Sequence, residues 1–402
     1  MDAVPTFTIN PYLQDVRADR VTIFWETSAP VASKVLFGKE MLDQEKVEEQ
    51  SASRVHAIEI QGLQPDTRYQ YQVHSGVRES EVFSFQTAPS EDRPFSFLLW
   101  GDNQSGVEMS EKVFSRMAEE PSDFVINVGD LVDTGSKWHE WREQCFTPLR
   151  HWAHSRPTYV AIGNHCQKGF WVNGKLGKVT PFETYFRMPD TAPGASPYFY
   201  SLHYSNAHFI FIDPLRLEEI EDSKVREGVF IPEDDPNLIW LQEELARHDP
   251  NDWLFLFMHE PPYSQGWAGS YYDGEAHLRQ SVVPILEKHG VDVVFSGHMH
   301  GYERGLPHPP YDPVTGMGNT ISYVISGGGG GSLDNHKYRE WPAMDLPDHP
   351  ANPNSHEPDG GEYYRHHFCK VEISGNEFVL KAIEVLPDGR RGPVLDSFRL
   401  VK

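Results

Sequence analysis

The chain has 402 residues, of which 39% are hydrophobic and 12% aromatic, so it is long and apolar enough to bury the cores of two globular domains, or of one large domain with an appendage. Its net charge of −24 repels nucleic acid and anionic membrane surfaces, so neither is expected as a partner unless bound metal reverses the sign locally. No apolar stretch approaches membrane-spanning length, and three cysteines (Cys145, Cys166 and Cys369) are too few for a disulfide framework.

Residues 1–88 have the pattern of an all-β domain. The stretch RVTIFWET (20–27) alternates large side chains on its two faces, and GLQPDTRYQYQV (62–73) places aromatic residues after a Pro-Asp-Thr turn. Short strands with frequent turn signals predict a β-sandwich. The polar, proline-bounded stretch TAPSEDRP (87–94) is expected to link this domain to the rest of the chain.

The pattern changes to an α/β type after this linker. Short, almost unbroken apolar runs predict buried, largely parallel strands, and amphipathic helices are predicted between several of them, for example at 110–120, 236–248 and 275–290. The five apolar runs are FSFLLW (95–100), FVINV (124–128), TYVAI (158–162), WLFLFM (253–258) and VDVVF (291–295). A hairpin with Gly375 and Asn376 at its turn is predicted near the end of the chain.

Each of the five runs ends in residues of metal-ligand type, namely Asp102, Asp130, Asn164, His259 and the pair His298 and His300. Sites in open α/β sheets form beyond the carboxyl ends of the strands, so these side chains are expected to converge. Carboxylates and imidazoles bind zinc, iron or manganese, and one carboxylate can bridge two ions. One such residue alone is usually a turn former, but the set favours a site for two metal ions. The glycines before Asp102, Asp130 and Asn164 are expected to let the backbone turn sharply there.

These blocks resemble those of the metallophosphoesterase (calcineurin-like) superfamily. Gly-Asp-x-x-Asp, Gly-Asn-His, a strand-end His and Gly-His-x-His occur here in order. The sequences GHMHGYER and YVISGGGGG, together with a front domain that resembles fibronectin type III and its tyrosine corner, are similar to the purple acid phosphatase branch. The resemblance implies a fibronectin III-like sandwich at 1–88, followed at 95–402 by a catalytic α/β (or α+β) domain, a metallophosphoesterase β-sandwich flanked by helices.

The resemblance also implies roles for individual residues. Asp130 would bridge two divalent or trivalent ions of iron, zinc or manganese. His165 would sit beside the bridge, where it can bind phosphoryl oxygens or protonate the leaving group. The remaining ligands would divide between the ions, with Asp102 and His300 on the first and Asn164, His259 and His298 on the second.

The chain departs from the family pattern at three positions. Gln104 stands where a His is usual, and its amide oxygen, or water, would complete the shell of the first ion. Asp133 stands where purple acid phosphatases have the tyrosine that gives them their colour. Cys166 replaces the usual acidic residue and is expected to be a buried neighbour of the ligands rather than a thiolate ligand. We expect Asp133, like Cys166, to support the ligands without binding an ion.

The expected function is that of a binuclear, metal-dependent phosphoric ester hydrolase. The resemblance favours an acid phosphatase-like phosphomonoesterase that uses a metal-bridging hydroxide on a small phosphate ester. A phosphodiesterase or nucleotide pyrophosphatase on the same core is the alternative enzyme. An alternative of another class is a binding or adhesion protein with a degenerate catalytic domain, an idea supported only by Gln104 and Asp133.

The sequence also supports expectations about the location of the protein and about two further segments. No secretory signal is visible at the start, but such signals are removed from mature proteins, and a secreted or periplasmic location is favoured. The glycine-rich stretch 327–332 is expected to be either a flexible linker or a wall of the site. Trp267, Tyr271 and Tyr272 either cover the pocket or pack within the protein.

Overall fold

The computed structural model describes residues 4–47, 52–189, 197–218, 231–264, 274–307, 321–334, 344–345 and 364–402. Two sheets form the N-terminal sandwich, one with strand order β1-β2-β5 and one with order β4-β3-β6-β7 in which β8 also pairs with β6. The strands are β1 (Phe7–Gln14), β2 (Arg20–Val31), β3 (Ser33–Gly38), β4 (Gln44–Val47), β5 (Ser53–Gln61), β6 (Arg68–Ser75), β7 (Arg78–Glu79) and β8 (Phe83–Gln86).

Two side chains explain how this sandwich holds together. The Trp25 indole of β2 is buried between the sheets and donates a hydrogen bond to Ser75 Oγ of β6 at 2.8 Å. The Tyr69 hydroxyl accepts a hydrogen bond from the Gln64 backbone N–H at 3.0 Å, which is the tyrosine corner expected from the sequence. Both contacts place a polar group of a buried aromatic ring on a defined partner, which fixes how the two sheets face each other.

Two larger sheets make up the second part of the chain. One has the order β11-β10-β9-β21-β22-β23, and the other has the order β14-β15-β16-β17-β19-β18-β20. Strands β9, β10 and β11 are parallel, as are β15, β16, β17 and β19. The strands of the first sheet are β9 (Phe95–Trp100), β10 (Phe124–Asn127), β11 (Thr158–Val160), β21 (His367–Ser374), β22 (Glu377–Val385) and β23 (Arg391–Val401).

The strands of the second sheet are β14 (Tyr200–Tyr204), β15 (Ala207–Phe211), β16 (Trp253–Phe257), β17 (Val293–Ser296), β18 (Tyr302–Pro307), β19 (Ser322–Ser326) and β20 (Met344–Asp345). A separate small hairpin joins β12 (Trp171–Val172) to β13 (Lys175–Leu176).

The two large sheets pack face to face through aromatic side chains. Phe97 of β9 meets the edges or faces of Phe209, Phe255, Phe257 and Phe295 from the opposite sheet, with ring centroids between 5.6 and 6.3 Å apart. Because the strands β9, β15, β16 and β17 are buried on both faces, their sequences are nearly continuous apolar runs rather than alternating ones. The predicted α/β sandwich preceded by an all-β sandwich is confirmed.

Helices cover this sandwich. They are α1 (Val107–Glu119), α2 (Trp138–Glu140), a π-helical turn (Trp141–Phe146), α3 (Thr147–Leu149), α4 (Asn164–Gln167), α5 (Thr180–Tyr185), α6 (Pro214–Glu218), α7 (Pro236–Leu245), α8 (Ala276–Ser281) and α9 (Val283–His289). The predicted helix at 275–290 is two helices, because Pro284 has no N–H to continue the first and instead sits in the first turn of the second. Within the described residues, no helix combines the length and apolar character needed to span a membrane.

The N-terminal sandwich is bound tightly to the second part. The Tyr12 hydroxyl donates to the Tyr185 backbone oxygen at 2.6 Å, and both rings are buried in one continuous apolar core. The Glu26 carboxylate accepts two hydrogen bonds from the Arg142 guanidinium, at 2.6 and 2.7 Å. A bidentate, charge-assisted contact of this kind fixes the orientation of the two side chains as well as their distance.

Candidate metal centre

Four side chains from different loops form a continuous chain of donor atoms. His259 Nε2 lies 3.1 Å from Asp130 Oδ2 and 3.1 Å from Asn164 Oδ1, and His298 Nδ1 lies 3.1 Å from the same Asn164 oxygen. Donor atoms that share one tetrahedral ion at bonds of about 2.1 Å are roughly 3.4 Å apart. The spacing therefore matches that of a coordination shell, and we call these four residues the deep group.

A second set of donors lies on the other side of Asp130. His300 Nε2 is 3.4 Å from Asp102 Oδ1, and the Gln104 amide nitrogen is 3.1 Å from His300 Nε2 and 3.2 Å from Asp130 Oδ2. We call Asp102, Gln104 and His300 the outer group. The Asp130 carboxylate stands between the two groups and contacts a member of each, which is the position required of a bridging ligand.

The residues present fit a pair of transition-metal ions. Their donors are two carboxylates, three imidazoles and two amides, a mixture suited to iron, zinc or manganese. One atom also lacks a partner, because the Gln104 Oε1 is buried and makes no hydrogen bond. A buried amide oxygen without a partner is costly, and a cation in the outer group would satisfy it after a half-turn of the amide.

Burial and close charges set the protonation of the deep group. Burial disfavours charge on His259, but the carboxylates of Asp130 and Asp102 outweigh burial and hold the pKa of this imidazole well above its usual value. Burial, and then the neighbouring His259, lowers the pKa of His298 to about 3. Burial also raises the pKa of the Asp102 carboxyl above its ordinary value. The His298 imidazole is thus neutral and ready to bind a cation, whereas His259 would release its proton when an ion binds.

The backbone of the ligand loops is strained. Asp102, Asp130 and His298 have φ angles of 61°, 53° and 72°, a left-handed conformation that side chains with a Cβ rarely adopt. Each such residue costs on the order of 1–3 kcal/mol and persists only where its surroundings impose it. Such strain at three of the candidate ligands indicates that the loops are shaped to aim side chains rather than to be locally stable.

The expected role of the glycines before the ligands is only partly right. Gly129 has a φ of 105°, but at Asp102 the left-handed turn is made by the aspartate itself, and Gly163 has an ordinary extended backbone with φ −111°. Gly163 is required for space instead, because a Cβ there would lie 2.3 Å from Asp130 Oδ1. Close packing of the loops, not turn geometry alone, therefore excludes larger residues.

His165 lies at the exposed side of the centre. Its backbone N–H donates to Asp130 Oδ1 at 2.8 Å, and its ring Nδ1 lies 2.9 Å from the Asp133 backbone oxygen. Lys168 Nζ is 2.8 Å from the same ring nitrogen and 3.7 Å from Asp133 Oδ1. Although burial opposes it, the nearby Lys168 lowers the pKa of the Asp133 carboxyl. Sequence reasoning missed Lys168, since no motif marks it and only folding of α4 brings it to the site.

The glycine-rich stretch 327–332 forms a wall of the site. The Gly331 N–H donates to the Asp102 backbone oxygen at 2.9 Å, and the Ser332 backbone oxygen accepts a hydrogen bond from the His300 ring. Just beyond it, Asp334 accepts from the His300 backbone N–H at 2.7 Å. This stretch positions the outer group, so it is not a flexible linker.

Other predicted residues lie beside the ligands or outside the described part of the chain. Cys166 is buried, accepts a hydrogen bond from the Leu131 N–H, and burial raises the pKa of its thiol to about 12, so it stays a neutral thiol. Trp267, Tyr271 and Tyr272 fall outside the described residues.

One supporting residue was not predicted from the sequence. The Gln144 side-chain oxygen accepts hydrogen bonds from the backbone N–H groups of both Ser105 and Asp133, at 3.0 and 2.9 Å. These two bonds tie together two of the loops that carry ligands. No motif marks this glutamine, which lies in the π-helical turn.

Comparisons with known families agree with this arrangement. Residues 95–302 match the model of the calcineurin-like phosphoesterases, and residues 7–87 match that of the purple acid phosphatase N-terminal domain. The two matched segments meet near the linker predicted at 87–94.

Individual relatives show the same likeness. A purple acid phosphatase of Glycine max is 28% identical over 79% of this chain and 71% of its own length. An Fe(3+)-Zn(2+) purple acid phosphatase of Arabidopsis thaliana is 28% identical over 69% of this chain and 60% of its own length. Among solved structures, a purple acid phosphatase from yellow lupin seeds superposes with a TM-score of 0.74 at 17% identity, covering 99% of this chain and 74% of that chain.

Proposed function

Because the chain belongs to the calcineurin-like phosphoesterases, a family of metal-dependent hydrolases, we propose that it is a binuclear phosphomonoesterase of the purple acid phosphatase type. One observation carries the proposal. The deep group and the outer group converge from five strand ends on the two sides of the Asp130 carboxylate, at the spacing of two adjoining coordination shells.

We assign Asp130 to both ions, the outer group to the first and the rest of the deep group to the second. When bound, the ions supply the Lewis acidity that activates water and offsets charge on the phosphoryl oxygens. The chain's own contribution is to hold these donors in fixed positions. The hydrogen bonds of Gln144 and Gly331 to the loops serve that purpose.

His165 and Lys168 are assigned to the substrate rather than to an ion. The Asp133 backbone oxygen and the Lys168 ammonium both contact the His165 Nδ1, so Nε2 is the ring atom that can hold a proton for the leaving alcohol. Lys168 is half-exposed beside it and carries positive charge towards incoming phosphate. A doubly charged phosphomonoester gains more from this charge than a singly charged diester, which supports a monoesterase over a phosphodiesterase or nucleotide pyrophosphatase.

Hydrolysis of matched mono- and diesters tests the proposal. The metal-loaded protein should cleave p-nitrophenyl phosphate faster than bis(p-nitrophenyl) phosphate, and Asp130→Asn should lose both activities. Faster cleavage of the diester would overturn the monoesterase assignment. A protein that holds two ions yet cleaves neither ester would instead support the binding-protein alternative.

We also propose a secreted or periplasmic location, on the family resemblance alone. Fractionation of the native host would test it, and recovery of the protein in the cytoplasm would contradict it.

A further inference from the structure

A second cluster of ligand-type side chains lies far from the metal centre. His203 of β14 and His208 of β15 are directly opposite each other in this hairpin, with their rings stacked at a centroid distance of 4.0 Å. Glu244 of α7 lies against them, with its Oε1 3.2 Å from His208 Nε2. One donor atom from each of these three residues lies within 4.8 Å of the other two, so a modest closure would bring them onto one ion.

Hydrogen bonding within the chain leaves part of this cluster unused. His208 is completely buried, and its Nδ1 has no hydrogen-bond partner. His248 follows α7, its ring centroid is 6.0 Å from that of His208, and its Nδ1 is likewise buried and without a partner. The hydrogen bonds of Glu244 to Ser201 and His208 make a buried polar network, but they do not account for the two unpaired nitrogens.

The charges around the cluster permit a cation. Burial and the neighbouring positive groups, Lys402 first, lower the pKa of His248 to about 4, and burial together with His208 lowers that of His203. Both imidazoles are therefore neutral at neutral pH and have lone pairs to offer. Arg247 is paired with Glu244 Oε2 at 2.8 Å, which leaves Oε1 on the side of the histidines.

Among the described residues, two further cations that act on these histidines are also engaged elsewhere. Lys402 pairs with Asp292 at 2.9 Å, and Arg17 pairs with Asp15 at 2.6 Å. Carboxylates thus offset part of their charge, although Lys402 still contributes to the low pKa of His248.

The position of the cluster separates it from catalysis. His208 is near the start of β15, whereas the metal centre lies beyond the ends of β15 and β16, since Phe211 pairs with Phe257 and His259 comes two residues later. About five residues of extended strand, roughly 17 Å, separate the two places. A ligand bound here would join β14, β15 and α7 rather than take part in the reaction.

We propose that this cluster is a third metal site, distinct from the binuclear centre, which binds a zinc ion or a similar imidazole-preferring transition metal. The ligands are His203, His208 and Glu244, and His248 or water takes the fourth position of a tetrahedral ion. The ion fastens the edge hairpin β14–β15 to the end of α7 and stabilises the fold there.

Equilibrium dialysis against a series of buffered free Zn²⁺ concentrations tests this inference. Protein with its binuclear centre already loaded should bind one further Zn²⁺ per chain and melt at a higher temperature. His203→Ala should weaken that third ion at least about tenfold and abolish the rise in melting temperature, while phosphatase activity stays unchanged. His203 is exposed, so this variant should fold, and His289→Ala on α9 is the matched control.

Two results would overturn the proposal. One is the absence of a third ion at free Zn²⁺ up to the micromolar range. The other is a third ion that His203→Ala and His248→Ala leave as tight as His289→Ala does. If the wild-type protein fails to hold the first two ions but still binds the ion that depends on His203, the result would count against the binuclear centre and not against this site.

Discussion

The deep and outer groups of the metal centre are built differently. In the deep group, Asn164 links His259 to His298 through contacts of 3.1 Å, and His259 is fully buried. In the outer group the His300 side chain is 20% exposed, and an amide stands where the family usually has a third strong ligand. One proposed ion position would thus be assembled by buried side chains, whereas the other would depend on the partly exposed His300 and on Gln104 in place of the usual His.

The largest expected effect comes from removing the carboxylate that the two groups share. Asp130→Asn should lower the metal content below two ions per chain and reduce phosphatase activity on the order of a thousandfold or more, because it removes the charge between both positions. Elemental analysis with steady-state kinetics measures both. Asp133 lies in the same loop but belongs to neither the deep nor the outer group, so Asp133→Asn should retain two ions. Equal metal loss in the two variants would refute the bridging assignment.

The next largest effect should leave both groups intact. His165→Ala should reduce kcat about a hundredfold with metal content unchanged, since this ring is assigned to the substrate. Lys168→Met should mainly raise KM, because it removes charge that attracts phosphate. Steady-state kinetics on both variants, with metal analysis of each, measures these effects. Loss of metal in proportion to activity in His165→Ala would show that His165 is a ligand.

A smaller and selective effect should separate the two groups directly. Gln104→Ala should weaken one ion about tenfold and leave the other in place, while Gln104→His should retain or tighten it, because imidazole is the usual ligand there. Stepwise chelation followed by metal analysis resolves the two ions. If both ions weaken together, the outer group does not depend on Gln104.

The smallest expected signal is an absence of colour. Because Asp133 replaces the tyrosine of purple phosphatases, the iron-loaded protein should show no purple charge-transfer band. Visible spectra of the apo and iron-loaded protein would test this. A band that appears with iron would mean that a tyrosine from elsewhere reaches the centre.

Much of the fold could be predicted from the sequence because buried strands appear there as short apolar runs. The runs that end at Trp100, Val128 and Phe295 mark strands β9, β10 and β17, and the polar residues after them meet at one place. Strands β14 and β15 were missed, although Tyr200, Leu202 and Tyr204 alternate with polar residues there before a turn. Alternation of this kind is itself a strand signal, so this hairpin could have been predicted.

Other features could not be predicted from local patterns. The left-handed backbone of His298 arises from the loops packed around it, and a single histidine in a sequence gives no sign of it. Lys168 lies beside His165 because the short helix α4 brings residues three apart together, a helix too short to show a periodic pattern. His203, His208 and His248 meet only through pairing of β14 with β15 and docking of α7, which are tertiary contacts.

The shared core between the N-terminal sandwich and the catalytic part has a practical consequence for protein production. Tyr12 of the sandwich packs on Phe146, and Glu26 holds Arg142 in the same segment that contains Gln144, the residue that ties two ligand loops together. A fragment that starts at residue 95 would expose the apolar surface around Phe146 to water. It would also lack Glu26, the partner of Arg142 in the helical segment that holds Gln144. We expect such a fragment to aggregate during expression, so the smallest usable clone begins ahead of Phe7, at the start of β1.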